Sequence, residues 1–596
     1  MALISTSFIH CHPSWDALGL CPAQSSQFPF HLFGSMCWCP KTTPKYSSFS
    51  PELRYVNRTQ KEQDYDYDYD YIVVGSGAGG LVLADRLSET GARTLLLERG
   101  PESTWKSGGR SGPSWANPLN LTRHDLPSAS NSIWVSSPIS RCDDYSELAA
   151  CLLGGGTAIN AGLFLAPPDG DWIGWPKGWG MEDMGNARER VLGRVPGWKT
   201  DTFGEGWEVL KEVMGREGWK EVDANGERNR KDRAVSRGIF MFTNGTRHGP
   251  LGSYFLSSLT RHNFHLQLNT PALRLLRSVG YSRSRINGVV TPRGTITAKK
   301  VILASGTFGT AKILLQSGIG PLPQLQTILS SSNGRYLPPK DDWILLPVGK
   351  NLMDHYNLDM TISHPKFRGY DFQAAYSDPP LQDLKLYLAN RTGPLAESVP
   401  APNVIMWLET TVGNHTMNGQ FTTRISSHPN DTSLGISFFL GRGSTSRGEV
   451  EITQDGRMVV TKYPWAVTEE DKEATEKMME EFLGVMERAK GLGVETVKPA
   501  KGQDFRSFVG EEREGRGSNH WMGTARIGED DGRKYKGEEG DVVDPRGRVW
   551  GTENLFVADA SLFPVQTTGN PTAAIIVVAE RIAELVLGAE IRTHAT

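Results

Sequence analysis

A glycine-rich run at residues 75–80 could hold a pyrophosphate group close to the backbone. Gly75 permits a tight turn, Gly77 lets the backbone approach the pyrophosphate, and Gly80 lets a following helix pack close to the preceding strand. Further along, Glu98 is placed to accept hydrogen bonds from an adenosine ribose. A carboxylate there favours a free ribose diol over a 2′-phosphate, so the pattern predicts a site for FAD or NAD rather than NADP.

The segments around this run are the ones that a dinucleotide site requires. Residues 72–74 are apolar and β-branched, which is typical of a buried parallel strand. Residues 81–87 predict a helix whose N-terminal N–H groups point at the phosphates. Residues 94–97 predict a second strand that ends at Glu98. Because strand, helix and acid are all present, we expect a dinucleotide site rather than a structural glycine turn.

Later segments resemble parts of the same fold. Residues 300–306 predict an apolar strand ending in small residues, and residues 310–316 predict a helix after it. Residues 554–560 predict another buried strand, and residues 573–587 predict a closing helix with one apolar side. A nucleotide-binding domain built from the start, middle and end of a chain implies that a second domain is inserted between these parts.

Alternating apolar and polar runs in the inserted parts, such as residues 434–440, predict antiparallel strands. The Met-rich side of a long predicted helix, 469–490, is expected to be core. The predicted fold class is therefore α/β with an α+β insert: a Rossmann-like domain assembled from discontinuous segments plus an antiparallel-sheet substrate domain. The predicted segments are an atypical, poorly ordered N-terminal extension (1–65), the dinucleotide-binding domain (66–190, 295–335 and 545–590), and mainly the substrate-binding domain (191–294 and 336–544).

Composition excludes several classes of protein. The chain has 596 residues, of which 38% are hydrophobic and 22% charged, as in a globular protein with ample core. The net charge of −3 gives no indication of nucleic-acid binding. No stretch approaches the roughly 20 apolar residues of a membrane span. No metal-ligand spacing such as HExxH occurs, so no metal is expected.

The cellular compartment stays open between cytoplasm and secretory pathway. His10 and His12 interrupt the early apolar stretch, so no signal peptide is apparent. Chance gives about three N-glycosylation sequons in such a chain, and the excess suggests a glycoprotein. The six sequons begin at Asn57, Asn120, Asn244, Asn390, Asn414 and Asn430.

Several motifs together resemble the glucose–methanol–choline (GMC) family of FAD-dependent oxidoreductases, over roughly residues 66–590. Within the family, the likeness is greatest to the flavin domain of cellobiose dehydrogenase. Only about 65 residues precede the resemblance here, so no cytochrome domain is expected ahead of it. The motifs are at 153–161, 306–311 with 317–320, 348–355, 518–524 and 568–571, with Ala311 where a proline is commoner.

The resemblance implies FAD as cofactor and assigns the residues that hold it. Some relatives tether FAD through a histidine where this chain has Ile159, so FAD is expected to be bound non-covalently. Asp559 and Ala560 resemble a late contact to the ribityl–pyrophosphate region. The residues expected to line the flavin are Gly155, Gly156, Thr157 and Asn160.

His520 and Asn570 are the predicted catalytic residues. Imidazole has an unperturbed pKa near 6.5, so a neutral ring can accept a hydroxyl proton near pH 7. From the residue alone, a buried structural histidine is the commoner interpretation, and it is the resemblance that implies catalysis. An amide cannot act as a base, but Asn570 can hydrogen-bond the substrate oxygen.

The resemblance thus implies oxidation of a small-molecule alcohol to a carbonyl. The missing signal peptide and haem domain favour a small or aromatic alcohol intermediate of secondary metabolism as substrate. A sugar is the alternative, from the likeness to cellobiose dehydrogenase, and a hydroxynitrile lyase is a more distant one. Motifs do not encode the electron acceptor (oxygen, a quinone or another carrier) or the oligomeric state.

Overall fold

Two seven-stranded sheets organise the protein. The computed structural model describes residues 67–130, 133, 140–199, 202–512 and 517–593, so the predicted N-terminal extension lies outside the described residues. The strands are β1 (Tyr69–Val74), β2 (Thr94–Leu97), β3 (Lys220–Glu221), β4 (Ala234–Arg237), β5 (Phe242–Thr243), β6 (Thr246–Arg247), β7 (Phe264–Gln267), β8 (Arg274–Arg277), β9 (Ile286–Thr291), β10 (Gly294–Leu303), β11 (Tyr356–Ser363), β12 (Val404–Val412), β13 (His415–Ile425), β14 (Ser433–Leu440), β15 (Glu449–Ile452), β16 (Met458–Lys462), β17 (Glu495–Lys498) and β18 (Leu555–Val557).

Eleven α-helices occur in the described residues. The helices are α1 (Ala78–Ser88), α2 (Met181–Arg194), α3 (Gly204–Arg216), α4 (Leu256–Ser258), α5 (Gly306–Gln316), α6 (Leu322–Leu329), α7 (Phe372–Ser377), α8 (Leu381–Asn390), α9 (Glu469–Arg488), α10 (Phe505–Glu512) and α11 (Thr572–Thr593).

The first sheet has a parallel core in the order β7-β2-β1-β10-β18. The apolar runs within β1, β2, β10 and β18 are buried, as expected for strands of a covered parallel sheet. The first half of β10 pairs antiparallel with β9, which pairs with β8, while its second half pairs with β1 and β18. The α/β fold class with a Rossmann-like parallel sheet is confirmed, and the sheet unites segments from the start, middle and end of the chain.

Helix α1 lies unusually close to the carboxyl ends of these strands. A Cβ atom on Gly79 would lie 1.8 Å from the carbonyl oxygen of Ala558, and one on Gly80 would lie 1.9 Å from that of Gly75. Real Cβ atoms do not approach backbone that closely, so only glycine fits at both positions. The sequence-based role of Gly80, close packing of helix on strand, matches this geometry.

The second sheet has the order β17-β11-β14-β13-β12-β4-β3 and is antiparallel except for the short pair β3–β4. Helix α9 packs against one of its faces. Met478, Met479 and Phe482 from this helix are fully buried in the core between them. The prediction that the Met-rich side of this helix is core is therefore confirmed.

The structure moves one predicted boundary. Strands β7, β8 and β9, within residues 264–291, pair in the first sheet, although the sequence assigned 191–294 mainly to the substrate-binding domain. Alternating apolar residues predict a strand but do not say which sheet edge it joins, which explains the difference. Within the described part of the chain, no helix is both long and apolar enough to cross a bilayer.

Replacing Gly80 with alanine tests the close approach of α1. The added methyl group would overlap the Gly75 carbonyl, so the helix must shift and we expect a loss of at least about 1–3 kcal/mol in the free energy of unfolding. Denaturant unfolding measures this. Gly588→Ala is the matched control, because a Cβ there meets no atom within 4 Å. An unchanged stability in Gly80→Ala would contradict the packing described.

Candidate active site

A cavity of about 1050 Å³ runs from the first sheet to the second. At one end it is lined by residues that follow β1, β2 and β10, at the carboxyl edge of the parallel strands, where open α/β sheets bind ligands. At the other end it is lined by one face of β11, β13 and β14. His520 and Asn570 also line it, so the predicted cofactor-binding and catalytic residues share one space.

The glycines at the nucleotide end leave backbone open to the cavity. Gly75 has φ +98°, and a Cβ there would lie 2.5 Å from the Ala304 carbonyl oxygen. By contrast, a Cβ on Gly77 or Gly156 would meet no protein atom within 4 Å, so their backbone faces empty space. Gly75, Gly77 and Gly156 line the cavity, as Gly155 does, while Gly80 contributes packing and does not line it. A pyrophosphate fits this bare backbone.

Glu98 joins the two glycine-rich loops. Its carboxylate accepts hydrogen bonds from the backbone N–H and the hydroxyl of Ser76 (3.1 and 2.5 Å) and from the N–H of Gly100 (2.8 Å). The Ser76 hydroxyl in turn accepts from Gly154 N–H. Burial raises the pKa of Glu98 even so. A carboxylate has about four acceptor sites, so one is left for the ribose hydroxyl, a contact that stays a prediction.

Asp559 holds the end of β10 to the end of β18. It accepts hydrogen bonds from Gly306 N–H (2.9 Å), the Thr310 hydroxyl (2.5 Å), and the N–H and hydroxyl of Ser561. Burial raises its pKa, and these donors oppose the rise. Asp559 and its neighbour Ala560 line the cavity, where the sequence placed them.

Arg247 is a site residue that sequence reasoning missed. Its buried guanidinium donates to the carbonyl of Thr157 (3.1 Å) and to the side chain and carbonyl of Asn160 (3.0 and 2.6 Å). It thereby fixes the predicted flavin-lining loop, in which Thr157 also donates to the Gly154 carbonyl. No motif surrounds Arg247, so nothing in the sequence distinguished it from other arginines.

His520 and Asn570 meet as predicted: the Asn570 amide nitrogen lies 3.1 Å from His520 Nε2. The other ring nitrogen, Nδ1, lies 3.2 Å from Nδ1 of His355. His355 belongs to the 348–355 family motif, but the sequence gave no reason to assign it a role. It determines which nitrogen of His520 carries a proton.

The first fixed point is the Thr567 carbonyl, which lies 3.0 Å from His355 Nε2. A carbonyl only accepts hydrogen bonds, so the proton of neutral His355 is on Nε2. Its Nδ1 is then an acceptor, and His520 must donate to it from Nδ1. This leaves Nε2 of His520 unprotonated, with a lone pair that can accept a hydrogen bond.

The second fixed point is the indole of Trp407, which only donates. It donates to Oε1 of Gln420 (3.2 Å), so the Gln420 amide nitrogen donates to Oδ1 of Asn570 (2.8 Å). Asn570 must then donate from its own nitrogen to Nε2 of His520. Both chains of hydrogen bonds make Nε2 of His520 a proton acceptor.

The surroundings keep His520 neutral. Burial lowers its pKa well below the usual range, and the nearby His355 ring lowers it further. Burial also lowers the pKa of His355 to about 4. Asp354 accepts the backbone N–H groups of Ser518 and His520 (2.9 and 2.8 Å), which fixes the loop, and burial raises the pKa of Asp354 to about 7. A neutral base with a fixed tautomer therefore faces the cavity near pH 7.

Sequence models described as GMC oxidoreductase match residues 69–357 and 444–579. The chain belongs to the GMC oxidoreductase family. Its relatives include dehydrogenase eriK of Hericium erinaceus. The two are 26% identical over an alignment of 592 positions, which spans 86% of this chain and 93% of that protein. The alcohol dehydrogenase [acceptor] of Pseudomonas putida is 25% identical over 555 residues, covering 86% and 94%.

Solved structures show the same fold. The FAD-dependent oxidoreductase from Chaetomium thermophilum superposes with a TM-score of 0.68 at 20% identity, over 88% of this chain and 100% of that one. FAD is the cofactor of this GMC oxidoreductase, and the open backbone at Gly77 and Gly156 fits its pyrophosphate. The particular likeness to cellobiose dehydrogenase stays a prediction. In the described segments, no group of three or more His, Cys, Asp or Glu side chains could hold a metal.

Replacing His355 tests the tautomer assignment. In His355→Gln, the amide can still donate to Thr567 and accept from His520, whereas His355→Leu can do neither. We expect the Leu variant to reduce the flavin about 10²-fold more slowly, at the low end of what a general base contributes, and the Gln variant to recover most of the rate. Stopped-flow flavin absorbance measures both.

The pH profile separates this role from a structural one. Because the pKa of His520 lies below its usual 6.5, the base stays neutral as the pH falls through 6.5. The acid limb of kcat/KM should therefore lie below pH 6.5 in the wild type and in His355→Gln. Equal rates and identical profiles for the Leu variant and the wild type would refute the assignment.

Proposed function

We propose that this protein oxidises an alcohol to a carbonyl compound, with His520 as the base. The observation that carries the proposal is the unprotonated Nε2 of His520, which two hydrogen-bond chains hold as an acceptor at the cavity that the glycine-rich loops also line. When bound, FAD supplies the acceptor for the hydride, at its N5. The hydroxyl proton goes to Nε2, so proton and hydride leave separately and the carbonyl forms.

Asn570 orients the substrate in this scheme. Gln420 holds its carbonyl oxygen, so its N–H groups point toward His520 and the cavity. A substrate hydroxyl that takes the place of the amide at His520 Nε2 donates to that nitrogen and can accept a hydrogen bond from the amide, which aligns the carbinol carbon. The relative named alcohol dehydrogenase [acceptor] supports oxidation of a CH–OH group. Ile159 at the tether position supports non-covalent FAD.

For the substrate, a small or aromatic alcohol of secondary metabolism remains the first candidate. The aromatic ring of Phe439, 5.7 Å from that of His520, supports an apolar surface beside the reacting carbon. A sugar remains the alternative, supported by the hydroxyl-bearing residues farther along the same sheet face. A hydroxynitrile lyase would leave the flavin oxidised, so anaerobic bleaching by an alcohol separates it from either oxidation.

We also propose that the protein folds in the secretory pathway. Cys142 and Cys151 form a disulfide, with Cα atoms 5.2 Å apart, and such bonds persist in oxidising compartments. A second support is the sequon set: Asn57 lies outside the described residues, and the asparagines of the other five sequons are exposed. These are Asn120, Asn244, Asn390, Asn414 and Asn430.

Replacing His520 with alanine tests the base. We expect the variant to retain FAD but to slow flavin reduction by about 10²–10⁴-fold or more, because it loses the base that accepts the hydroxyl proton. Anaerobic absorbance with a panel of alcohols measures the rate. As a control, acid denaturation should release all the FAD from wild type and variant, as non-covalent binding requires. Normal turnover in His520→Ala would refute the assignment of His520 as the base.

Expression from the protein's own start codon in yeast tests the compartment. An endoglycosidase should lower the apparent mass, and a maleimide added without reductant should leave Cys142 and Cys151 unlabelled. Asn414→Gln should remove one glycan, because Asn414 is exposed in the turn between β12 and β13. An unglycosylated protein with two labelled thiols at these positions would show that it folds in the cytosol.

A further inference from the structure

The substrate end of the cavity has a floor made of side-chain rows across three strands. The first row is Gln420, Phe439 and Asn357, and it marks the reacting end because Gln420 holds Asn570 and Phe439 packs on His520. Two residues farther along come Thr422, Ser437 and Asp359, and then Arg424, Gly435 and Thr361. Successive rows are about 6.7 Å apart, from the strand rise.

Arg424 reaches across this floor. Its guanidinium lies over Gly435, where a Cβ would come 3.5 Å from Nη2, and it pairs with Asp359 at 2.7 Å. Asp359 belongs to the second row, so the guanidinium lies between the second and third rows. That position is about 7–13 Å along the strands from the reacting end.

Most of the hydrogen-bonding capacity of Arg424 is uncommitted. A guanidinium has five N–H donors and no acceptor, and Asp359 is its one charged partner in the described residues. The side chain is 37% exposed and lines the cavity. The other charged side chains in the described cavity lining are at the nucleotide end: Glu98, Arg99, Asp144, Lys312 and Asp559.

The surroundings of Arg424 also suit oxygen groups. Hydroxyls can donate or accept, and they line the cavity at Thr361, Thr422, Ser426, Ser427, Ser433 and Ser437. Because Asp359 offsets the positive charge, a neutral group with several oxygen acceptors suits this place better than a carboxylate. An apolar tail would leave the guanidinium donors without partners, which is costly once water is displaced.

We propose that Arg424 binds the far end of the substrate and selects alcohols that carry further hydroxyl groups about 7–13 Å from the carbinol. The inference rests on the proposed function, assigns it a specificity residue, and favours the sugar candidate over a small or apolar aromatic alcohol. Arg424 does not touch the reacting atoms, so it acts on binding rather than on proton or hydride transfer.

The test compares three alcohols as anaerobic flavin reductants: cellobiose, 4-ethylbenzyl alcohol and 4-(hydroxymethyl)benzoate. Arg424→Met should raise the half-saturating concentration of cellobiose roughly tenfold or more, the value of a charged hydrogen bond. It should change the limiting rate less than about threefold and leave binding of 4-ethylbenzyl alcohol unchanged. Arg293→Met, in the exposed β9–β10 turn, is the control and should change nothing.

Further variants keep the outcome interpretable. Arg424→Lys retains the charge and should give an intermediate value for cellobiose, which covers the case in which the Met variant does not fold. Asp359→Asn removes the counter-charge and should favour 4-(hydroxymethyl)benzoate. Three outcomes would each overturn the assignment while leaving alcohol oxidation intact. Arg424→Met could affect cellobiose and 4-ethylbenzyl alcohol equally, it could affect no alcohol, or the wild type could be reduced by 4-ethylbenzyl alcohol alone. If Arg424→Met affected only 4-(hydroxymethyl)benzoate, the ligand group of Arg424 would be a carboxylate and the assignment of neutral hydroxyls would be wrong. If no alcohol bleaches the wild-type flavin, the proposed function itself fails.

Discussion

The contact between helix α1 and the ends of the parallel strands is the constraint on which the rest of the site depends. Hydrogen is the only substituent that fits at Gly79 and Gly80, because the carbonyls of Ala558 and Gly75 lie directly against them. This proximity brings the helix N-terminus to the edge where β1, β10 and β18 end. The cavity opens at that edge, and Asp559 and Glu98 brace the loops around it. A looser helix would displace the Gly77 backbone together with the loop at Gly155 that lies against it.

The sequence predicted well those parts of the site that are local in the chain. A strand, a glycine turn, a helix and an acid at residue 98 follow one another within about thirty residues, so their spacing carries the geometry. His520 and Asn570 required the family resemblance, because a lone histidine or asparagine has no diagnostic neighbours. The comparisons confirm that resemblance for the GMC family, while the individual roles rest on the geometry described.

Residues that act through distant contacts could not be predicted. His355 meets Thr567 across 212 positions, and Arg247 meets the loop at Asn160 across 87. The amide of Asn570, which does lie in a family motif, is oriented from Trp407 through Gln420, and neither of these two residues lies in a motif. The edge positions of β7, β8 and β9 were missed for the same reason. Pairing partners far away in sequence are set by the assembled sheet and not by local propensity.

The order of assembly of the first sheet has a consequence for the growing polypeptide on the ribosome. Residues Val301–Leu303 of β10 gain their second neighbour only when β18 has been synthesised, about 250 residues later. Until then one side of an apolar central strand is unpaired, a surface that invites aggregation. Asp559 and Asn570 are synthesised later still. Until then the nascent chain lacks both the carboxylate that braces the cofactor site and the amide that orients the substrate. A chain that terminates before β18 therefore lacks these site residues and is inactive. It also exposes an unpaired apolar strand edge to the quality-control machinery of the cell.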